Sequence, residues 1–376
     1  NVKVGEQISA NELSETHHAV IFAHGAETDR KLGIPGEDLI GSHTATEFVG
    51  WYNGHPDYRD SSFDLTSEKA VIIGQGNVAA DVARILAKSV DELRHSDISE
   101  HALDCLAESR IREIVVVGRR GPAQVKFTPK ELREFENLEV CQAIIDSQEM
   151  LLNPESEAEL AEKSNSGQRK IYDQLAKLAE IADSGKARRC HFTFLKSPKE
   201  LLGNERLEKV VLEHNQLSGE PLRQSARGTG DTLEMETSLL FRSIGYRGVP
   251  LAGLPFDEQN GVIPNKDGRI TDKELPMPGL YVTGWIKRGP TGIIGTNRAD
   301  SVATIQSLLA DLDTLERGTE KSGADGVCNL LQSRGVRYVS FEEWKKIDQS
   351  EIDRGQAKNK PREKYTYIAE MLELLG

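Results

Sequence analysis

The sequence predicts an α/β protein built on parallel strands, and three observations carry that expectation. Apolar runs that close on glycine recur at 70–74 (AVIIG), 112–118 (REIVVVG) and 279–284 (GLYVTG), the pattern of strands buried on both faces. The first run passes through a glycine turn into VAADVARILAKSV, where Val78, Val82, Ile85 and Leu86 share one helical face. The second run follows that helix, which makes a strand-helix-strand unit legible.

Taken in order, HAVIFAHGA at 18–26 reads as a buried parallel strand ending at Gly25, and KLGIPGED after it as a linker. Residues 89–110 read as one or two extra charged helices inserted before the strand at 112–118. Between 142 and 186 the chain is charged and helical, with Ile171, Leu175, Leu178 and Ile181 on one face, and is expected to be a surface excursion. HFTFL at 191–195 and EKVVLEH at 208–214 suggest the two arms of a hairpin. SLLFRSIGY at 238–246 is a further buried strand. No fixed-period repeat is present.

At 376 residues the chain has room for two or three domains. A net charge of -13 excludes nucleic acid as the main partner, because backbone binding needs a basic surface. No run approaches the roughly 20 apolar residues that cross a bilayer, so an intracellular, soluble protein is expected. The four cysteines, Cys105, Cys141, Cys190 and Cys328, are far apart and form no C-x-x-C, and His17, His18 and His24 lack metal-ligand spacing, so no metal or dithiol site is expected. Asn1 rather than Met opens the sequence, which is read as processing, truncation or an incomplete chain.

Gly74, Gly76 and Asn77 stand where a parallel strand turns into a helix, so backbone N–H groups and the helix dipole can face a pyrophosphate. The pattern is G-x-G-N-x-x-A, with Ala80 as the small residue that allows close helix packing; a plain tight turn is the alternative. The second strand of such a site usually ends in an acidic residue for the adenosine ribose, whereas here it ends in Arg119 and Arg120. Two guanidiniums suit a 2′-phosphate and point to NADP rather than NAD. A solvated basic turn is the alternative. In GWIKRGPTGIIGTN, 284–297, four glycines and a proline crowd a short loop before a helix beginning near Ala299. Gly292, Ile293 and Ile294 could offer main-chain N–H groups to the edge of a flavin ring and Trp285 could pack beside it, with a structural turn as the alternative.

Taken together, GQGNVAADVARIL, VGRRGPAQVKFTPKELRE, RSIGYRGVP and GWIKRGPTGIIGTNRAD closely resemble the adrenodoxin-reductase family of FAD-dependent NADPH:ferredoxin oxidoreductases. The resemblance spans nearly the whole chain and implies two dinucleotide-binding, Rossmann-like domains, an NADP domain inserted in an FAD domain that is incomplete here. Residues 29–249 would be the NADP domain; 1–28 and 250–376, with a C-terminal helical region, would be the FAD domain. By resemblance, Gly74, Gln75, Gly76 and Asn77 match the nucleotide turn, Arg119 and Arg120 the 2′-phosphate clamp, and Glu131 a further NADP contact. Trp285 and Gly292 to Ile294 match flavin contacts, and Asp81 matches an acidic residue near the reaction centre. Read from its own position alone, an aspartate placed as Asp81 is more often a helix surface charge. The family's amino-terminal G-x-G-x-x-[GA] unit, about 30 residues or more, is absent from the sequence.

The expected function is hydride transfer from NADPH to FAD, then single electrons to a ferredoxin-like iron-sulfur protein. A different acceptor or a noncatalytic NADP-binding fragment are the alternatives. Arg188, Arg189, Lys196 and Lys199 are candidates for docking an acidic partner. The expected compartment is the bacterial cytoplasm, or the mitochondrial matrix in a eukaryote.

Overall fold

The computed structural model describes residues 1–182, 184–292, 294–315 and 320–376. Two compact units are present, one formed by Lys31–Ile244 with Lys346–Gly376, the other by Asn1–Arg30 with Gly245–Lys345.

At the centre of the larger unit is a six-stranded sheet with the spatial order Ser42–Thr44, Leu239–Arg242, Lys69–Ile73, Glu113–Val117, Arg188–Thr193, Cys141–Ile144. Every neighbouring pair is parallel. Side chains alternate across a strand, so Ala70, Ile72, Ile114 and Val116 enter one core and Val71, Ile73, Val115 and Val117 the other. A strand apolar at nearly every position therefore needs cover on both faces. The helix Asn77–Ala87 covers the first face with Ala79, Ala80, Val82, Ala83 and Leu86. A three-stranded antiparallel sheet, Lys196–Leu202, Lys209–Ser218 and Ser225–Glu236, covers the second through Leu201, Val210 and Leu212. At about 1.5–3 kcal/mol per fully buried aliphatic side chain, these two faces outweigh exposed ion pairs worth about 0–1 kcal/mol each.

Two expectations are corrected. The run 191–195 is not a hairpin arm: His191–Thr193 belongs to a strand parallel to Glu113–Val117, and the chain turns at Leu195 with φ +53°. Lys209–Ser218 instead pairs with Lys196–Leu202 and Ser225–Glu236. Apolar patterning reports a buried strand but not the direction of its partner. Nor is 142–186 a surface excursion. Cys141–Ile144 is the sheet's edge strand, and the helix Ser166–Ala179 buries Ile171, Leu175 and Leu178 in the main core. Ile181 lies beyond that helix and is exposed. The expected extra helices at 89–110 are Val90–Leu93 and Glu100–Ala107. The linker at 31–38 has no strand or helix, yet it is fixed by Glu37, which is buried and accepts from Leu32 N at 2.6 Å, Gly33 N at 2.8 Å and Arg242 Nη1 at 2.6 Å.

The smaller unit holds a sheet ordered Val20–Phe22, Leu275–Val282, Arg269–Asp272, Asn265–Lys266, parallel at the first pair and antiparallel after it. Ala10, Phe22, Ile263, Ile270, Leu280, Val282 and Ile286 form its core. The helix Ile294–Leu315 is tied to the sheet through Asp311, which accepts from Tyr281 Oη at 2.9 Å and Arg269 Nε at 2.6 Å. Burial, with the Asp311 contact, pushes the Tyr281 phenol up to about 12.

Candidate functional site

In the larger unit the site is built at the carboxyl end of the Lys69–Ile73 strand. Gly74 has φ +131°, and a Cβ there would stand 2.0 Å from the Ser243 carbonyl oxygen, so only glycine fits. Gly76 caps the helix Asn77–Ala87 without a side-chain partner for its amino-terminal N–H groups, and a Cβ at Gly76 would meet nothing within 4 Å. Free donors, the positive end of the helix dipole and open space thus coincide.

The other two residues of the turn act within the protein. Gln75 Nε2 donates to the Thr193 carbonyl at 2.9 Å, its side chain crossing Gly118 so closely that a Cβ there would lie 1.9 Å from Oε1. Asn77 Oδ1 accepts from Thr128 N at 2.8 Å, and Lys126 N donates to the Gln75 carbonyl at 2.8 Å. These bonds hold 126–128 against the turn.

Arg119 and Arg120 follow the adjacent strand. The Arg119 side chain is exposed and has no ion-pair partner among the described residues, while Asn215 Nδ2 holds its carbonyl at 2.9 Å. Arg120 is half-buried; its Nη2 reaches the Gln124 carbonyl at 3.4 Å. Burial and the neighbouring Arg119 charge lower the Arg120 pKa, opposed by Glu159.

Asp81 and Glu131 converge on a residue that the sequence reading missed. The Arg84 guanidinium pairs with Asp81, with Glu131 Oε2 at 2.5 Å and with Glu134 Oε1 at 2.7 Å. Burial raises the Asp81 pKa; Arg84 opposes this, and Glu131 and Glu134 reinforce it. Burial lowers that of Arg84, but Asp81, Glu134 and Glu131 outweigh it and the net shift is upward. The spacing of Asp81 and Arg84 could have flagged one pair; the two glutamates come from a different helix, Pro129–Glu134.

In the smaller unit, the glycine-rich loop is organised by Asp300, also missed. Its carboxylate accepts from Gly284 N at 2.6 Å and Thr283 Oγ1 at 3.1 Å and pairs with Lys287 Nζ at 2.8 Å. Burial alone would raise its pKa, but the Lys287 and Gly284 hydrogen bonds win and hold it below the ordinary aspartate value. Trp285 stacks on Tyr246 at 5.6 Å, and its indole Nε1 is buried with no hydrogen-bond partner among the described residues. Gly292 has φ +88° and precedes the helix that Ile294 opens. Ile293 lies outside the described residues.

The four docking cations differ in availability. Arg188 Nη1 donates to the Leu86 and Lys88 carbonyls at 2.8 and 2.7 Å, closing the end of the helix Asn77–Ala87. Lys196 is buried, 2.5 Å from Glu149 Oε1 and 2.6 Å from Thr193 Oγ1. Both charges are engaged internally and offer little to a partner. Arg189 faces Glu113 at 3.9 Å, and Lys199, nearly half exposed, faces Glu213 at 3.7 Å.

No family model matches the sequence. The chain is 43% identical over 380 residues to the NADPH-ferredoxin reductase FprA of Mycobacterium tuberculosis, covering 100% of this chain and 82% of that protein. It is 42% identical over 391 residues to the mitochondrial NADPH:adrenodoxin oxidoreductase of Arabidopsis thaliana, covering 99% of this chain and 80% of that one. A solved structure of Mycobacterium tuberculosis FprA in complex with NADPH superposes with a TM-score of 0.93 at 43% identity, over 100% of this chain and 82% of that chain.

Proposed function

The chain belongs to the family of NADPH:adrenodoxin and NADPH-ferredoxin oxidoreductases, and from that premise we propose that it carries electrons from NADPH, through FAD, to a ferredoxin-like iron-sulfur protein. Bound FAD supplies the conversion between a two-electron donor and a one-electron acceptor. The protein's own groups bind, orient and exclude water; no nucleophile is called for.

The observation that carries the reading is the pair Arg119 and Arg120 beside an open glycine turn, with the exposed Arg119 guanidinium lacking an ion-pair partner among the described residues. The helix N–H groups behind Gly76 receive the pyrophosphate, and the two guanidiniums receive the 2′-phosphate. Gln75 and Asn77 keep the turn in shape by bonding Thr193 and Thr128. Glu131 and Asp81 are both held by Arg84; in this reading Glu131 contacts the nucleotide and Asp81 is the acidic residue by the reaction centre. For the flavin, the Trp285 ring and the main chain at Gly292, Ile293 and Ile294 are the contacts, and Asp300 holds Gly284 at the head of that loop. The acceptor docks on exposed cations, of which Lys199 is one. The compartment is the bacterial cytoplasm or, in a eukaryote, the mitochondrial matrix; among the described residues no helix is long and apolar enough to cross a membrane.

The test is anaerobic titration of the purified, flavin-loaded protein with NADPH and with NADH, followed by reduction of a ferredoxin. Flavin bleaching by NADPH far more readily than by NADH, with ferredoxin reduced in turn, is expected. Equal use of both nucleotides overturns the assignment of the arginine pair.

A further inference from the structure

Behind the arginine pair lies a buried polar cluster that the function described so far does not use. Gln124, Ser156, Glu159 and Gln224 are each less than 10% exposed. Glu159 Oε2 accepts from Gln124 Nε2 at 2.7 Å; its Oε1 accepts from Gln224 Nε2 at 2.9 Å and Leu222 N at 2.8 Å. Ser156 Oγ accepts from Gln124 Nε2 and Gln224 Nε2, both at 2.9 Å. A buried carboxylate is costly unless its oxygens are occupied by donors, and here one donor, Gln124, follows the arginine turn while Leu222 and Gln224 come from the turn between the strands Lys209–Ser218 and Ser225–Glu236.

Two features connect the cluster to Arg120. The Gln124 carbonyl is the acceptor for Arg120 Nη2, so the side chain that Glu159 locks belongs to the residue that receives the guanidinium. The remaining side-chain oxygen, Gln124 Oε1, is buried without a partner, and a Cβ at Gly121, the residue after the arginines, would stand 3.1 Å from it. The cluster therefore lies directly under the turn. Glu159 also favours the charged form of Arg120 against its burial and the repulsion of Arg119.

We propose that Glu159 and Gln124 position Arg120 for the nucleotide 2′-phosphate and thereby set the preference for NADPH over NADH. Two adjacent guanidiniums repel, and without an anchor the half-buried one swings out to solvent. The cluster removes that freedom before the ligand arrives, which raises affinity by lowering the cost of ordering the site. This inference rests on the assignment of Arg119 and Arg120 to the 2′-phosphate and assigns a role to residues of the 142–186 segment.

The experiment is a double-mutant cycle on the whole protein, with Glu159→Gln, Arg120→Ala and the double variant, reading dissociation constants for 2′,5′-ADP, NADP+ and NAD+ by calorimetry. In Glu159→Gln the shape is kept, but one of the two oxygens becomes an NH2 donor facing Gln124 Nε2 or the donors Gln224 Nε2 and Leu222 N, so the lock on Gln124 is broken. Loss of a nearby negative charge by itself strengthens phosphate binding, so weakening marks positioning rather than field. The expected result is about tenfold weaker binding of 2′,5′-ADP and NADP+, unchanged NAD+, and no further loss when the substitution is added to Arg120→Ala. Unchanged or tighter 2′,5′-ADP binding, equal loss for NAD+, or full additivity with Arg120→Ala overturns the proposal. If Arg120→Ala itself leaves the NADP+ to NAD+ ratio unchanged, the assignment of the arginine pair fails, and the proposal with it. Should Glu159→Gln not fold, Ser156→Ala, which removes an acceptor and no charge, is read by the same criteria after a melting check.

Discussion

Arg84 Nη2 lies 2.5 Å from Glu131 Oε2, joining the helix that follows the glycine turn to the helix Pro129–Glu134. Asp81 and Glu134 share the same guanidinium, so one cation orders two of the candidate site residues. Arg84→Met leaves three neighbouring carboxylates without it and is expected to cost about 2 kcal/mol of stability at neutral pH. Urea denaturation at pH 7 and pH 4 checks this, with the loss shrinking in acid as Asp81, whose pKa burial raises, is neutralised.

Asp81 illustrates a conflict between stability and function. Its folded pKa is raised by burial above the ordinary aspartate value of 3.8. For a carboxylate this sign means that the charged form destabilises the fold at neutral pH, a penalty relieved as pH falls through the raised value. Asp81→Asn is therefore expected to melt higher than the parent at pH 7, with the gain gone below the ordinary aspartate value, while turnover with NADPH falls. A lower melting temperature at pH 7 contradicts it.

Gly74 and Gly76, two positions apart, separate folding from binding. Gly74→Ala drives a Cβ into the Ser243 carbonyl at positive φ and is expected to destabilise by about 3 kcal/mol or more. Gly76→Ala meets no protein atom, so stability stays within about 0.5 kcal/mol, yet the methyl group occupies the approach to the helix N–H groups and raises KM for NADPH. Melting curves beside steady-state kinetics distinguish the two.

Arg119, exposed and unpaired, is expected to act only through the ligand. Arg119→Ala should raise KM for NADPH about tenfold or more, leave kcat and the NADH kinetics unchanged, and flatten the salt dependence of NADPH affinity. A change in melting temperature is not expected.

Asp300 is held below the ordinary aspartate pKa by Lys287 and the Gly284 N–H despite burial. With this sign its contribution is complete above the ordinary aspartate value of 3.8 and is lost as pH falls through the depressed folded value. Asp300→Asn is expected to lower flavin retention at pH 7 and to abolish the acid-linked part of flavin release. Spectroscopic titration of bound flavin from pH 7 to pH 3 in both proteins checks it.

Much of the architecture is legible in short stretches of sequence. The Val and Ile runs at 70–73 and 113–117, the glycine turn into an apolar helical face, and the Arg119 and Arg120 pair each depend on neighbours within a few positions, where side-chain period and turn chemistry act directly. Other features exist only after distant strands have paired. The run 191–195 entered a parallel sheet instead of a hairpin, because burial patterning does not record the direction of a partner. Arg188 and Lys196, basic in the sequence, are engaged by helix carbonyls and by Glu149, and Arg84, Glu159 and Asp300 acquire their roles from donors and acceptors brought by other segments. By itself the sequence determined where strands, turns and the adjacent arginines lie, since those follow from local periodicity and residue chemistry. Only the tertiary structure decided which charges remain available to a ligand, since a charge is engaged or free according to the non-local neighbours that the folded chain packs around it.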